Sequence, residues 1–140
     1  MILQRVLADT GPLVAMLSRA DEHHLACAEL ARQIKPPLLP SWPVITEAAW
    51  LLRARQTALD RLLELVQEGA VAVLELDRAA PPGLRRILKR YRSLRPQLAN
   101  ATLVYLAERE GIDTIFTLDR RDFSVYRTAR GRGFRLVPGI

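Results

Sequence analysis

Five polar side chains in this 140-residue sequence stand where metal or phosphate chemistry would need them. Asp9 opens Asp-Thr-Gly-Pro directly after the apolar run 2–8. Asp119 and Asp122 lie in TLDRRDF, directly after the run 113–118. Glu47 shares a helical stripe with Pro43, Val44, Trp50 and Leu51, an apolar face on which a carboxylate is costly unless paired or coordinated. Asn100 sits about one turn inside a helix, in line with Leu103, Val104 and Ala107. Carboxylates and an amide carbonyl are hard oxygen donors, and Mg²⁺ typically takes one or two carboxylates while keeping several waters. Each residue also has an ordinary structural role open to it. Asp9 suits a turn or helix cap, Asp119 an N-cap, and Asp122 a surface pair with a neighbouring Arg. Glu47 could pair with Arg53 or Arg55, Asn100 could be a satisfied core amide, and Thr117 an ordinary strand threonine.

The elements that must carry these residues alternate. Short apolar runs at 2–8, 38–39, 70–76, 113–118 and 134–137 read as strands. Helical segments are expected over 12–18, 21–34, 41–54, 57–68, 79–92 and 97–110, with a short helical turn capped by Asp119. Pro36-Pro37, Gly69 and Gly111 act as stops, and Ser41 with Pro43 marks a helix start. Strands separated by helices require crossovers, which predicts an α/β chain with a mainly parallel sheet between two helical layers. Sites in such sheets form at the carboxyl ends of strands near a topological switch point, and that rule alone selects Asp9 and Asp119.

Length and composition set the bounds. The chain is expected to form one domain, residues 1–140, with 49% apolar and 26% charged residues, a globular balance. Cys27 is the sole cysteine, which excludes an internal disulfide and a cysteine-based zinc site and suits a reducing cytoplasm. No apolar run is long enough to span a membrane, and MILQRVLADTG lacks the pattern of a signal peptide. Dinucleotide and P-loop glycine motifs are missing, and a phosphotransfer aspartate would want a second Asp where Gly11 stands. His23 and His24 are adjacent, the wrong spacing for a shared metal. The net charge is +6, and the bases are concentrated: residues 85–95 hold six and no acid, and 119–140 hold six Arg against two Asp. Such blocks fit polyanion binding, and equally a solvated basic face.

Four segments in order, VLADTGPLVAML (6–17), ITEAAWLL (45–52), LANATLVYLAERE (98–110) and IFTLDRRDFSVYR (115–127), resemble the PIN-domain ribonucleases, especially the VapC-type toxins of toxin–antitoxin pairs. The resemblance implies a three-layer α/β/α PIN-like fold and RNA hydrolysis assisted by Mg²⁺ or Mn²⁺. It assigns Asp9, Glu47, Asn100 and Asp119 to the catalytic centre, with Asp9, Asp119 and Asn100 as metal ligands. Thr10, Thr117 and Asp122 would support them. The basic blocks would hold RNA through Arg85, Arg86, Lys89, Arg92, Arg120 and Arg121. An antitoxin protein seated on the early helices, a homodimer and a cytoplasmic setting are implied as well. The chain departs from the family where Asn100 and Gln97 replace acids. An amide keeps an oxygen ligand but loses a charge and cannot take a proton, so a weakened or binding-only module is the alternative.

Overall fold

A computed structural model describes residues 2–139. Three strands form a parallel sheet in the order β1 (Val6–Ala8), β2 (Thr114–Phe116), β3 (Arg135–Val137). Parallel bridges Leu7↔Leu39 and Leu38↔Val71 extend the sheet on the other side of β1. The spatial order is therefore 71, 38–39, β1, β2, β3, and the chain reverses its direction of travel at β1. The switch point lies between β1 and β2.

Helices fill every crossover. They are α1 (Thr10–Leu17), α2 (His24–Arg32), α3 (Trp42–Leu51), α4 (Gln56–Glu68), α5 (Ala80–Arg90), α6 (Leu98–Glu110) and the short α7 (Arg120–Phe123). A 3₁₀ turn, Arg92–Leu94, joins α5 to α6. Right-handed crossovers running in opposite directions place their helices on opposite faces of the sheet, the three-layer arrangement expected. Every residue of β1 and β2 is buried, as strands covered on both faces must be.

The strands are shorter than their apolar runs. The run 2–8 yields only Val6–Ala8, because Arg5 turns into left-handed backbone at φ 53° and breaks the ladder. The run 70–76 is a correction: it forms no regular strand. It contributes one bridge, although Ala72 and Leu74 still donate to Leu38 and Pro40, at 2.9 Å each. It is the sheet edge, with no neighbour beyond it to regularise it. The expected helices 21–34, 41–54 and 79–92 end earlier, at Arg32, Leu51 and Arg90. Gly69 and Gly111 close α4 and α6 with φ 88° and 66°, the left-handed cap that glycine supplies without steric cost.

The core is Leu, Val, Ile and Ala, with Phe116, Phe123 and Tyr126 as its largest buried side chains. Within α6, Ala99 through Val104, then Leu106 and Ala107, are all buried, so this helix runs through the interior. Buried Ser41 caps α3 by accepting the Val44 N–H, and its Oγ lies 2.8 Å from Oγ1 of Thr102 on α6. That contact locks together the two helices carrying Glu47 and Asn100.

Candidate active site

One pocket of about 470 Å³ opens at the carboxyl ends of β1 and β2, at the switch point. Asp9, Thr10, Glu47, Asn100, Asp119 and Asp122 all line it. Residues more than a hundred positions apart thus share one cavity. Gln97, Leu51, Leu118 and Arg95 line it too.

Asp9 is the residue between β1 and α1. Its N–H donates to the carbonyl of Phe116 at 2.9 Å, which holds it against β2. It occupies the N-cap position of α1, yet its side chain caps nothing, so the cap role does not account for it. Its Oδ2 instead accepts the hydroxyl of Thr117 at 2.8 Å. The same hydroxyl oxygen accepts the N–H of Asp119 at 2.9 Å, and Oδ1 of Asp119 accepts the N–H of Asp122 at 3.1 Å. Thr117 therefore ties the two strand-end acids together, a task beyond that of an ordinary strand threonine. Asp119 fills its structural role as an N-cap with one oxygen and lines the pocket as well.

Burial pushes the Asp9 carboxyl up to about 6, against the Thr117 hydroxyl and the Thr10 N–H, which pull it down. Asp119 and Glu47 add like-charge repulsion. Glu47 is half-buried and forms no ion pair among the described residues. The pairing with Arg53 or Arg55 is not made: Arg53 lies over the Trp50 ring at 3.6 Å. Asp122 likewise has no arginine partner there.

Asn100 is buried, and its amide donates to the hydroxyl of Tyr126 at 3.4 Å. Tyr126 is braced edge-on by Tyr91 and Phe123. The amide nitrogen is thereby engaged, and the carbonyl oxygen is the donor left for the pocket. Oγ1 of Thr10 is buried with no hydrogen-bond partner among the described residues, an orphan at the pocket wall. Tyr126, Arg95 and the bridging role of Thr117 were not singled out from sequence, because each arises only from packing between distant segments.

This donor set fits a hard divalent cation: carboxylates, one neutral amide, a hydroxyl unpartnered among the described residues, and a carboxyl raised by burial, and to a lesser degree by neighbouring carboxylates, whose charge a cation would balance. The acids line the wall without converging. Among the described residues no three His, Cys, Asp or Glu side chains approach closely enough to grip an ion by themselves.

Of the residues expected to meet RNA, Arg85, Arg86, Lys89 and Arg92 are exposed on α5 and the turn after it. Arg86 is 3.1 Å from Glu108, and Arg120 donates to the carbonyl of Pro138 at 2.8 Å. Arg121 is exposed.

The family model for the PIN domain matches residues 6–129. The chain belongs to the PIN-domain family. It is 32% identical over 136 residues to Ribonuclease VapC26 of Mycobacterium tuberculosis, covering 95% of this chain and all of that protein. Its fold is also that of VapC20 from the same organism, a toxin that cleaves the sarcin–ricin loop. The TM-score is 0.76 and the identity 18%, over 84% of this chain and 92% of that one. A match along the whole length of a ribonuclease does not favour the binding-only alternative. No helix among the described residues is long and apolar enough to cross a membrane.

Proposed function

We propose that this PIN-domain chain is a metal-dependent endoribonuclease, the toxin of a type II toxin–antitoxin pair. The observation that carries the reading is the lining of one switch-point pocket by Asp9, Glu47, Asp119, Asp122 and Asn100. The proposed ligands are Asp9, Asp119 and the Asn100 carbonyl, and the proposed ion is Mg²⁺ or Mn²⁺. Such an ion, when bound, neutralises phosphate charge and makes a water more acidic.

The chain's own groups do the rest. Glu47, with no ion pair among the described residues, orients the attacking water and accepts its proton. Asn100 cannot take that proton, so this duty falls on a carboxylate. Thr117 keeps Asp9 and Asp119 in register, and Thr10 offers a hydroxyl to the substrate. The water oxygen bonds to phosphorus as the bond from phosphorus to the 3′ oxygen breaks, and the leaving 3′ oxygen takes a proton from solvent, giving a 5′-phosphate and a 3′-hydroxyl. Arg85, Arg86, Lys89, Arg92, Arg120 and Arg121 hold the flanking phosphates and offset the acids' repulsion.

The partners under this reading are RNA, an antitoxin protein and a second copy of the chain, in the cytoplasm. A groove between α1, α2 and α4, floored by Met16, Leu17 and Ala58 and rimmed by Arg19 and Arg55, suits an antitoxin segment.

Incubating the purified chain with a mixed RNA pool tests the reading. Mn²⁺ or Mg²⁺ should allow cleavage to 5′-phosphate ends, and chelation should stop it. Asn100→Asp adds a third charged ligand and should tighten Mn²⁺ on the order of tenfold, with faster cleavage at limiting metal. A folded chain that leaves RNA intact at saturating metal, in both forms, would sink the proposal.

A further inference from the structure

Among the described residues two other than glycine have left-handed backbone, Arg5 at φ 53° and Arg95 at φ 49°. Side chains disfavour this region because Cβ crowds the following carbonyl, and glycine is its usual occupant. A strained residue therefore calls for a reason found in its side chain. Arg5 has a structural one: its Nη2 donates at 2.8 Å to the carbonyl of Glu110, at the end of α6.

Arg95 has no such reason. Among the described residues its guanidinium makes no ion pair or hydrogen bond. It lines the pocket of Asp9, Glu47, Asn100 and Asp119, the only base among the described residues to do so. The backbone constrains it from both sides. Its N–H closes the 3₁₀ turn onto the carbonyl of Arg92 at 3.1 Å, and the ring of Pro96 disfavours ordinary right-handed helical backbone at Arg95. Exposed Arg85, Lys89 and Arg92 lead along the same stretch of chain towards it.

We infer that Arg95 is a substrate-positioning residue: its guanidinium clamps a phosphate of the RNA backbone beside the linkage to be cut. The planar fork of arginine matches two phosphate oxygens, and lysine offers only a point charge. The clamp would pass the strand from the basic face of α5 to the acids, which by themselves repel it. This inference rests on the nuclease reading, but its test does not require turnover.

Arg95→Gly is the informative variant, since glycine suits the backbone and the fold should keep its Tm or gain. Binding of a labelled 20-nucleotide single-stranded RNA is measured in EDTA across a KCl series. The variant should bind about tenfold more weakly, and its log–log salt slope should fall by about 0.7, one phosphate contact on a single strand. Arg95→Lys should restore the slope but only part of the affinity. In cleavage, KM should rise more than kcat falls, and Mn²⁺ affinity without RNA should stay within about twofold. Unchanged RNA affinity and slope in Arg95→Gly would overturn the assignment. So would tighter Mn²⁺ with unaltered RNA binding, which would mean that Arg95 only balances charge. A wild-type chain that binds no RNA overturns it as well. Arg95-dependent binding without any cleavage would uphold it and reject the nuclease reading.

Discussion

The two ends of the parallel sheet treat polar groups in opposite ways. At the amino end they are satisfied. The N–H groups of Leu3 and Lys35 donate to the carbonyls of Gln33 and Leu3 at 2.7 Å each, the N–H of Arg135 donates to the carbonyl of Asp113 at 2.8 Å, and the Arg5 guanidinium caps the end of α6. At the carboxyl end, Asp9, Thr10, Asn100 and Thr117 are buried, the Thr10 hydroxyl has no partner among the described residues, and the Asp9 carboxyl is held up at about 6. Unpaired buried polarity costs stability, so an end that keeps it is organised around something other than its own folding. The amino end shows what the same backbone does with polar groups when stability alone decides.

Replacing Asp9 with Asn should divide the two ends most sharply. Cleavage should be abolished while the fold becomes more stable at neutral pH. The carboxyl titrates near 6 in the fold against an ordinary 3.8, so its ionisation opposes folding. Stability is full below about pH 4 and is lost as pH rises through about 6, a difference on the order of 3 kcal/mol. Urea unfolding in metal-free buffer should show the variant ahead of the wild type at pH 7.5 and level with it at pH 4. Equal stability at both would mean that Asp9 is as well satisfied as the amino-end groups, and the contrast would fail.

Thr117→Val comes next. The isostere removes the hydroxyl that serves Asp9 and Asp119, strands the Asp119 N–H, and should cost roughly 1–3 kcal/mol. The Asp9 carboxyl should move further up, since the Thr117 hydrogen bond pulls it down. Chemical-shift titration of the Asp9 carboxyl reads this directly, and an unmoved midpoint would deny Thr117 its bridging role.

The smallest effect belongs to the amino end. Arg5→Gly relieves a left-handed side chain but loses the bond to Glu110, two opposing changes of about 1 kcal/mol each. Net stability should shift by less than about 1 kcal/mol, with RNA cleavage unaltered. A large loss of activity would show that the two ends are coupled.

Much of the candidate site was legible because strand-end and helix-stripe positions are local patterns. Asp9 and Asp119 come from a rule about strand ends, and Glu47 and Asn100 from polar residues on apolar helical faces. The RNA-facing bases were legible only as composition. Arg95 lay inside a basic block and looked like its neighbours until its backbone and its place in the pocket set it apart. The strand at 70–76 was overread because an apolar run records affinity for the interior, and pairing depends on what lies alongside. Val71 found Leu38, and the rest of the run lies at the sheet edge.

The order of strands and helices, the parallel arrangement they imply and the acids that follow β1 and β2 come from the chain alone, since periodicity, caps and stops act over a few residues. Tertiary structure decided the threonine bridge between Asp9 and Asp119, the amide of Asn100 turned to Tyr126, and the guanidinium of Arg95 among the acids. Those contacts join segments tens of residues apart or more: the pairing of β1 with β2 brings Asp9 to Thr117, and the packing of α6 beside the switch point brings Asn100 to Tyr126.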